Sequence, residues 1–259
     1  MLSEATMNRI NSRFRPLMQP VRMVLFTIDA GCDACPDMVE LARAIKTRSN
    51  LIALEIYDKI MDRDKTELYG VKYAPALVVQ GADGRAVTFY GRIEEVCLEV
   101  LLTTISGISE SREWFPQDIV RTLSHLTNDV TLRVFMDRDC GKCAPVAETA
   151  IGLGLVNSMI STNIIVSRDF PELVKRYHIT ELPKTIFGEN LHLDGQVTES
   201  VFLEMIFQAE GVKTGPDKRC LVCGTAAPEL ICHNCKAKIQ AEAVDHKLKG
   251  ERLKQRETP

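Results

Sequence analysis

The sequence predicts an α/β fold of two similar domains in tandem, followed by a small metal-binding segment. Two cysteine pairs with the spacing C-x-x-C, Cys32–Cys35 and Cys140–Cys143, each stand before a proline, Pro75 and Pro183. In both cases the first cysteine precedes the proline by 43 positions, and 108 residues separate the two sets. A displacement of this length is typical of a duplicated domain rather than of a short solenoid repeat. Four further cysteines near the end of the chain do not follow it.

Residues between the cysteines and the prolines support the duplication. Identical residues recur at the same displacement, namely Asp29 and Asp137, Glu40 and Glu148, Ala42 and Ala150, and Tyr69 and Tyr177. The match ends near Gly84. We expect Gly195, three residues late, to be its partner in a surface turn that tolerates insertion.

Length and composition set limits on the protein. A chain of 259 residues with 45% apolar residues suits two domains of ordinary size with an appendage. A net charge of −3 and a pI near 6.0 give no reason to expect nucleic acid or an anionic membrane as a partner. The first 20 residues lack the apolar run of a secretory signal, and no stretch reaches the roughly 18 apolar residues of a membrane span. We therefore expect a cytoplasmic protein, in which C-x-x-C pairs are catalytic or metal-binding.

The hydrophobic pattern of the first unit predicts alternating helices and strands. The run Val21–Ile28 is apolar apart from Arg22, as expected for a strand buried on both faces. Apolar residues at helical spacing follow the first cysteine pair. In chain order we expect a leading helix over Ile10–Met18, a strand over 21–28, a helix after the cysteine pair, a strand over 51–57 and a further helix. A third strand after Pro75, a turn at 81–84 and a fourth strand over 86–90 then form a hairpin, and a closing helix follows over 93–105.

The second unit repeats this order. Its strands are expected near 132–136, 163–166 and 185–187, and its closing helix over 199–208. A polar linker over Lys213–Lys218 marks a change of composition. The predicted domains are therefore residues 1–115, residues 116–212, and residues 213–259 as linker, cysteine cluster and charged tail.

The two cysteine pairs have the chemistry of a redox site. Backbone N–H groups and the dipole at a helix N-terminus stabilise a thiolate placed there. The first cysteine, Cys32 or Cys140, would attack a substrate disulfide, and the second, Cys35 or Cys143, would resolve the mixed disulfide. A zinc knuckle is the alternative for either pair alone, but the strand–helix–strand context favours a redox motif.

The residues inside the two pairs differ in charge. Asp33 should disfavour the thiolate of Cys32, whereas Lys142 should favour that of Cys140. We therefore predict that the second site is the stronger nucleophile. Asp29 and Asp137 could relay protons to a resolving cysteine or simply cap the following loop.

With these motifs, residues 1–212 resemble the protein disulfide oxidoreductases, which carry two thioredoxin-like or glutaredoxin-like units in one chain. The resemblance implies two tandem thioredoxin-like domains, each a central mixed sheet flanked by helices. It also implies dithiol–disulfide exchange on protein substrates, with a thioredoxin-reductase-like flavoprotein as electron donor. Cys32, Cys35, Cys140 and Cys143 carry over as the catalytic residues. Gly31 and Asp139 stand where thioredoxin has an aromatic residue, which leaves the redox potential open.

The same resemblance gives the prolines a role. In the thioredoxin fold the matching proline is cis, faces the dithiol, and leaves the backbone of the preceding residue free to pair with an extended substrate. Ala74 with Pro75, and Leu182 with Pro183, would form the substrate-binding positions. Each proline could otherwise be an ordinary residue at the start of a strand.

The last cysteines form a second kind of motif. Cys220, Cys223, Cys232 and Cys235 make two C-x-x-C turns, which suit one tetrahedral structural zinc ion in a small zinc ribbon. An iron site or labile disulfides are the alternatives. His233 is expected to be no ligand, because four cysteines complete the shell.

Basic residues surround and follow this cluster, namely Lys236, Lys238, Lys247, Lys249, Arg252, Lys254 and Arg256. Acidic residues are interspersed and aromatic residues are lacking, so a solvated helical face or a protein-docking module is favoured over nucleic-acid binding.

The leading hypothesis is thus a protein-disulfide reductase or oxidoreductase with two active C-x-x-C sites, one zinc ion and no organic cofactor. The alternative is a non-catalytic, redox-responsive adaptor that binds a partner through the zinc ribbon.

Overall fold

One mixed sheet of eight strands runs through the molecule, with helices on both faces. The computed structural model describes residues 2–14, 16–211, 220, 222–223, 225 and 231–256. The predicted linker at 213–218 lies outside these residues. Within them, no helix is long and apolar enough to span a membrane.

The first eight elements appear in the predicted order of helices and strands. They are α1 Glu4–Arg13, β1 Val21–Thr27, α2 Cys35–Lys46, β2 Ile52–Asp58, α3 Arg63–Leu68, β3 Ala76–Gly81, β4 Ala86–Tyr90 and α4 Glu95–Ser109.

The next elements repeat this order, and one long helix follows. They are α5 Gln117–Leu123, β5 Val130–Met136, α6 Cys143–Val156, β6 Ile160–Val166, a short 3-10 turn Ser167–Asp169, α7 Pro171–Arg176, β7 Lys184–Phe187, β8 Leu191–Asp194, α8 Glu199–Ala209 and α9 His233–Arg256.

The strand order is β2-β1-β3-β4-β6-β5-β7-β8, so the two sets of four strands have the same internal order. They join where β4 pairs in parallel with β6, with Val87 opposite Thr162. Only β3 and β7 run antiparallel to the other strands of this sheet. The carboxyl ends of β1 and β5 therefore open at the same edge. The domain boundaries at 115 and 212 stay a prediction.

The first strand of the sheet, β1, is buried on both faces along most of its length. Within β1, Met23 and Leu25 belong to the larger core, with α2, α4 and α6, whereas Val24 and Phe26 belong to the smaller core, with Leu173 of α7. Successive side chains of a strand point to opposite faces, so a continuous apolar run is what such a strand requires. The prediction of a doubly buried first strand is confirmed.

The leading helix was predicted wrongly over Ile10–Met18, since α1 ends at Arg13. The side chain of Ser3 caps its start by accepting a hydrogen bond from the Thr6 N–H at 3.1 Å. Pro16 lies just beyond its end, and a proline disfavours helical backbone in the preceding residue. The capping serine and the proline therefore determine the bounds of α1 more strongly than its pattern of apolar residues does.

Helices α4 and α6 pack together across the junction between the two halves of the sheet. A Cβ atom added to Gly107 of α4 would lie 2.6 Å from the Trp114 ring, and one added to Gly152 of α6 would lie 2.9 Å from Phe115. The two glycines thus leave the space that these aromatic rings fill. Trp114 and Phe115 therefore pack at the junction of the two halves.

Candidate active site and metal site

The first cysteine pair lies where β1 ends and α2 begins. Cys32 and Cys35 are joined by a disulfide, with their Cα atoms 5.4 Å apart. The N–H of Cys35 donates to the carbonyl of Cys32 at 3.2 Å, which closes the turn. Cys32 is partly exposed, whereas Cys35, the first residue of α2, is buried. An incoming sulfur atom can therefore reach Cys32 more readily than Cys35.

The second pair has the same geometry at the end of β5. Cys140 and Cys143 are joined by a disulfide, again with a Cα separation of 5.4 Å. The N–H of Cys143 donates to the carbonyl of Cys140 at 3.0 Å. Cys140 is partly exposed and Cys143, which begins α6, is fully buried. Both first cysteines are thus the accessible member of their pair.

The two prolines lie at the same edge of the sheet as the disulfides. The peptide bonds Ala74–Pro75 and Leu182–Pro183 are both cis. In the register of β1 and β3, Ala76 lies opposite Phe26, so Pro75 stands beside the end of the strand that leads to Cys32. Both prolines are buried, and Ala74 and Leu182 before them are partly exposed.

A glycine follows the last strand of each half, and its backbone N–H donates a hydrogen bond to the carbonyl of the proline. The N–H of Gly91 donates to the carbonyl of Pro75 at 3.0 Å, and that of Gly195 donates to the carbonyl of Pro183 at 2.8 Å. Both glycines have positive φ angles, as residues of this kind of turn often require. The match of Gly195 with Gly84 was therefore wrong. Gly84 lies in the β3–β4 turn, and Gly188 is the residue with positive φ in the β7–β8 turn.

Arg92 brings a positive charge to the first pair. Its Nη2 donates to the carbonyl of Asp33, between the two cysteines, at 3.0 Å. Its Nε lies 3.2 Å from Oδ2 of Asp37 in the first turn of α2. Sequence reasoning missed this residue, because it lies far from the cysteines along the chain and only the fold brings it beside the dithiol.

Two other arginines surround the second pair. Arg168 forms ion pairs with Asp137 at 2.6 Å and with Asp139 at 3.1 Å. Arg138 pairs with Glu94, just before α4, at 2.8 Å. Asp137 also accepts a hydrogen bond from the N–H of Arg138 at 2.7 Å. These contacts favour the capping role of Asp137 over the proton relay.

Cys97 is a free cysteine on α4 and is buried, as its place on the apolar stripe of a helix predicts. Burial, followed by the charge of Asp137, raises the pKa of the Cys97 thiol to about 12. It therefore stays a neutral thiol at physiological pH and is a poor nucleophile.

The four C-terminal cysteines come together in one cluster. The sulfur atoms of Cys220, Cys223, Cys232 and Cys235 all lie within 4.8 Å of one another. Those of Cys223 and Cys232 are 3.7 Å apart. A tetrahedral zinc ion with Zn–S bonds of about 2.3 Å would separate its ligands by about 3.8 Å, so the donor set fits such an ion.

Hydrogen bonds favour the thiolate forms of Cys220 and Cys223, whereas burial raises the pKa of the Cys235 thiol. The N–H of Cys232 donates to the sulfur of Cys220 at 3.3 Å. Hydrogen bonds from Thr225 are the largest of the causes that lower the pKa of Cys223 to about 6. His233 is not part of the four-residue group found among the described residues. The cluster can hold a metal ion through four sulfur atoms.

Helix α9, whose first turn carries Cys235, is docked on the second half of the protein. Cys220, Ile231, Cys235 and Ile239 are buried in the larger core. Two lysines of α9 make ion pairs with the second half of the protein. Lys236 pairs with Glu204 of α8 at 2.6 Å, and Lys238 pairs with Asp118 of α5 at 2.9 Å. The tail also carries five basic residues whose side chains lie outside the described part of the chain: Lys247, Lys249, Arg252, Lys254 and Arg256.

Comparisons with known proteins establish the fold. No protein-family model matches the chain, and no curated protein matches it in sequence. A protein disulfide oxidoreductase from Aeropyrum pernix K1 is similar in structure, with a TM-score of 0.74 and 21% identity over 82% of this chain and 95% of that one. The NTD_N/C domain of alkylhydroperoxide reductase AhpF from Enterococcus faecalis has a TM-score of 0.71 and 17% identity over 80% and 100%. The predicted thioredoxin-like α/β fold is thereby confirmed.

Proposed function

We propose that the protein is a thiol–disulfide oxidoreductase that exchanges dithiol and disulfide with protein substrates at two C-x-x-C sites. The thioredoxin-like fold and its two cysteine pairs support thiol–disulfide redox chemistry. The observation that carries the proposal is the same arrangement found twice. In each case a bonded pair has an accessible first cysteine and a buried second one, and opens a helix beside a cis-proline loop.

The reaction is a pair of sulfur exchanges. In the reduced protein the thiolate of Cys32 or Cys140 attacks a substrate disulfide, forms a mixed disulfide and releases one substrate thiolate. Cys35 or Cys143 then loses its proton and attacks the sulfur of its partner, which releases the second substrate thiolate. Two electrons pass to the substrate, and the C-x-x-C pair becomes a disulfide. The partly exposed Ala74 and Leu182, with Pro75 and Pro183, would hold an extended substrate segment through its backbone.

The electron donor belongs to the same proposal. A flavoprotein similar to thioredoxin reductase would reduce both disulfides, in a reducing compartment such as the cytoplasm. The likeness to a domain of an alkylhydroperoxide reductase supports including the disulfide of a peroxide-reducing protein among the candidate substrates.

We propose zinc as the metal of the C-terminal cluster, in a structural role. Four cysteine sulfurs, here all within 4.8 Å of one another, are a donor set that zinc prefers in closed sites. The ion would hold Cys220 and Cys223 against the start of α9, because Cys232 and Cys235 lie at that point of the chain. The adaptor hypothesis also uses this cluster. It assigns no catalysis to the two accessible cysteine pairs, whereas the oxidoreductase proposal does.

The test is turnover of a protein disulfide by the full-length protein. We expect reduction of insulin with dithiothreitol to be much faster with the protein than without it. Cys32→Ser or Cys140→Ser should each remove part of the rate, and the double variant roughly 100-fold or more of it, since each removes a nucleophile. Cys97→Ala, which removes a thiol outside both sites, is the matched control. A reduced wild-type protein that does not exceed the reagent alone would contradict the enzyme and favour the adaptor.

A further inference from the structure

Four residues between β4 and α4, here called the bridge segment (residues 91–94), touch both cysteine sites. Arg92 contacts the turn of the first pair, and Glu94 pairs with Arg138, two residues before Cys140. The N–H of Val96, in the first turn of α4, donates to the carbonyl of Arg138 at 3.4 Å.

The second half of the protein holds the backbone of this segment in place. The N–H of Arg92 donates to Oδ2 of Asp169, in the turn after β6. A Cβ atom on Gly91 would lie 2.8 Å from the same oxygen and 2.9 Å from Cβ of Val166. Only a glycine lets the backbone pass this close to Asp169 and Val166. The direction of the Arg92 side chain follows from this fixed backbone.

The guanidinium of Arg92 is aimed at the first pair. One nitrogen donates to the carbonyl of Asp33 and another lies beside the carboxylate of Asp37. About one third of the side chain is exposed (34%), so solvent screens the charge only in part. A planar fork can hold a carbonyl and a carboxylate together, which a lysine ammonium cannot do in the same geometry.

The elements around the first pair otherwise carry a surplus of acidic groups. These are Asp29 and Asp33 in its own loop, Asp37 on α2 and Asp169 after β6, against Lys59 after β2. Glu94, beside Arg92, is ion-paired with Arg138 and does not add to this surplus. Negative charges of this kind disfavour a thiolate. In the second half, the residue that follows the matching Gly195 is the neutral Gln196, and Arg168 neutralises the acidic residues there instead.

We propose that Arg92 is a positioning residue of the first site, which fixes the Cys32–Cys35 turn through the Asp33 carbonyl and stabilises the thiolate of Cys32. This inference rests on the proposed thiol–disulfide exchange. When a dithiol donor reduces the site, the donor becomes a disulfide and the Cys32–Cys35 bond breaks. Cys35 receives one proton, the other is released to water, and Cys32 is left as the thiolate that Arg92 stabilises.

The test measures the Cys32 thiolate directly, in the full-length protein with Cys140→Ser and Cys143→Ser so that one redox pair remains. The rate at which iodoacetamide modifies Cys32 is followed against pH by peptide mass spectrometry. With Arg92→Gln we expect the midpoint of this profile to rise by roughly 0.5 to 1 pH unit, because a partner charge is lost and Asp37 is left uncompensated. Arg92→Lys should give a smaller rise. Arg63→Gln, which removes the same charge from the exposed start of α3, should give none.

A second variant tests the sign. Asp37→Asn removes a negative charge from the same helix turn and should lower the midpoint. An unchanged midpoint in Arg92→Gln, or an equal shift in Arg63→Gln, would overturn the proposal, as would a rise in Asp37→Asn. Because alkylation needs no substrate turnover, these outcomes are independent of the insulin assay. A shifted midpoint without insulin reduction would sustain Arg92 and contradict the enzyme.

Discussion

Each cysteine pair combines an accessible sulfur with a buried one. Cys32 and Cys140 are partly exposed, and Cys35 and Cys143 are buried at the first residue of a helix. The spacing C-x-x-C was enough to predict that the two cysteines of a pair lie close together, because two intervening residues place both on one turn. The charges around them were not predictable from the spacing. Arg92 lies 57 positions beyond Cys35, and only the fold brings the two together.

Cys97 should be unreactive in the folded protein. Because burial raises the pKa of its thiol from 9.0 to about 12, the folded state favours the neutral form. Its contribution to stability is therefore present below about pH 9 and lost as the pH rises from 9 towards 12. After reduction, we expect iodoacetamide at pH 8.5 to modify Cys32 and Cys140 but not Cys97 in the native protein. All three should react in guanidinium chloride, which serves as the control. Equal modification of Cys97 in the native state would show that its surroundings are not those described.

At the scale of helices and strands, most elements followed from the hydrophobic pattern. The strand β4 has the predicted bounds, and the closing helix α8 begins where expected. The errors were at chain ends and turns. The start of α1 depends on one capping side chain, that of Ser3. Gly84 was matched with the wrong glycine because the β7–β8 hairpin is shorter than the β3–β4 hairpin. Capping and turn residues of this kind do not alter the periodic pattern of apolar residues, so that pattern cannot locate them.

The contact of α4 with α6 should depend on the small size of Gly107. We expect Gly107→Ala to lower the free energy of unfolding by about 1–3 kcal/mol, because the added methyl group would meet the Trp114 ring at 2.6 Å. With Trp114→Ala as background, the same change should be neutral or stabilising by up to about 1 kcal/mol, since alanine is the better helix former. Chemical denaturation of the four proteins measures this cycle. Equal effects of Gly107→Ala in both backgrounds would show that the ring and the glycine do not interact.

The metal cluster should hold the start of α9 in place. Cys235→Ser removes a buried ligand, so we expect the purified protein to lose most of its bound zinc and to unfold at a lower temperature. His233→Ala, beside the cluster but outside it, should keep both the zinc and the unfolding temperature. Elemental analysis and a thermal melt give the two values. Full zinc occupancy in Cys235→Ser would contradict the four-cysteine site.

At the scale of the whole molecule, the two redox sites share one edge of a continuous sheet. The repeat predicted two units, but nothing in the local sequence pattern indicated that β4 of the first would pair with β6 of the second. Strand pairing between distant segments depends on the folded arrangement rather than on local propensity. Strands β1 and β5 are four positions apart in the sheet, which places the two sites roughly 19 Å apart. One disulfide cannot span that distance, so the two sites should meet substrates separately from the same side.

The most direct measurement of the central claim is to trap the exchange intermediate. In Cys35→Ser/Cys143→Ser the resolving sulfurs are missing, so a mixed disulfide with a protein substrate should persist. After incubation with native, disulfide-bonded insulin, peptide mass spectrometry should find insulin chains bound to both Cys32 and Cys140, and none in the variant that also carries Cys32→Ser and Cys140→Ser. Adducts at neither cysteine, in a protein whose reduced thiols are intact, would contradict the account.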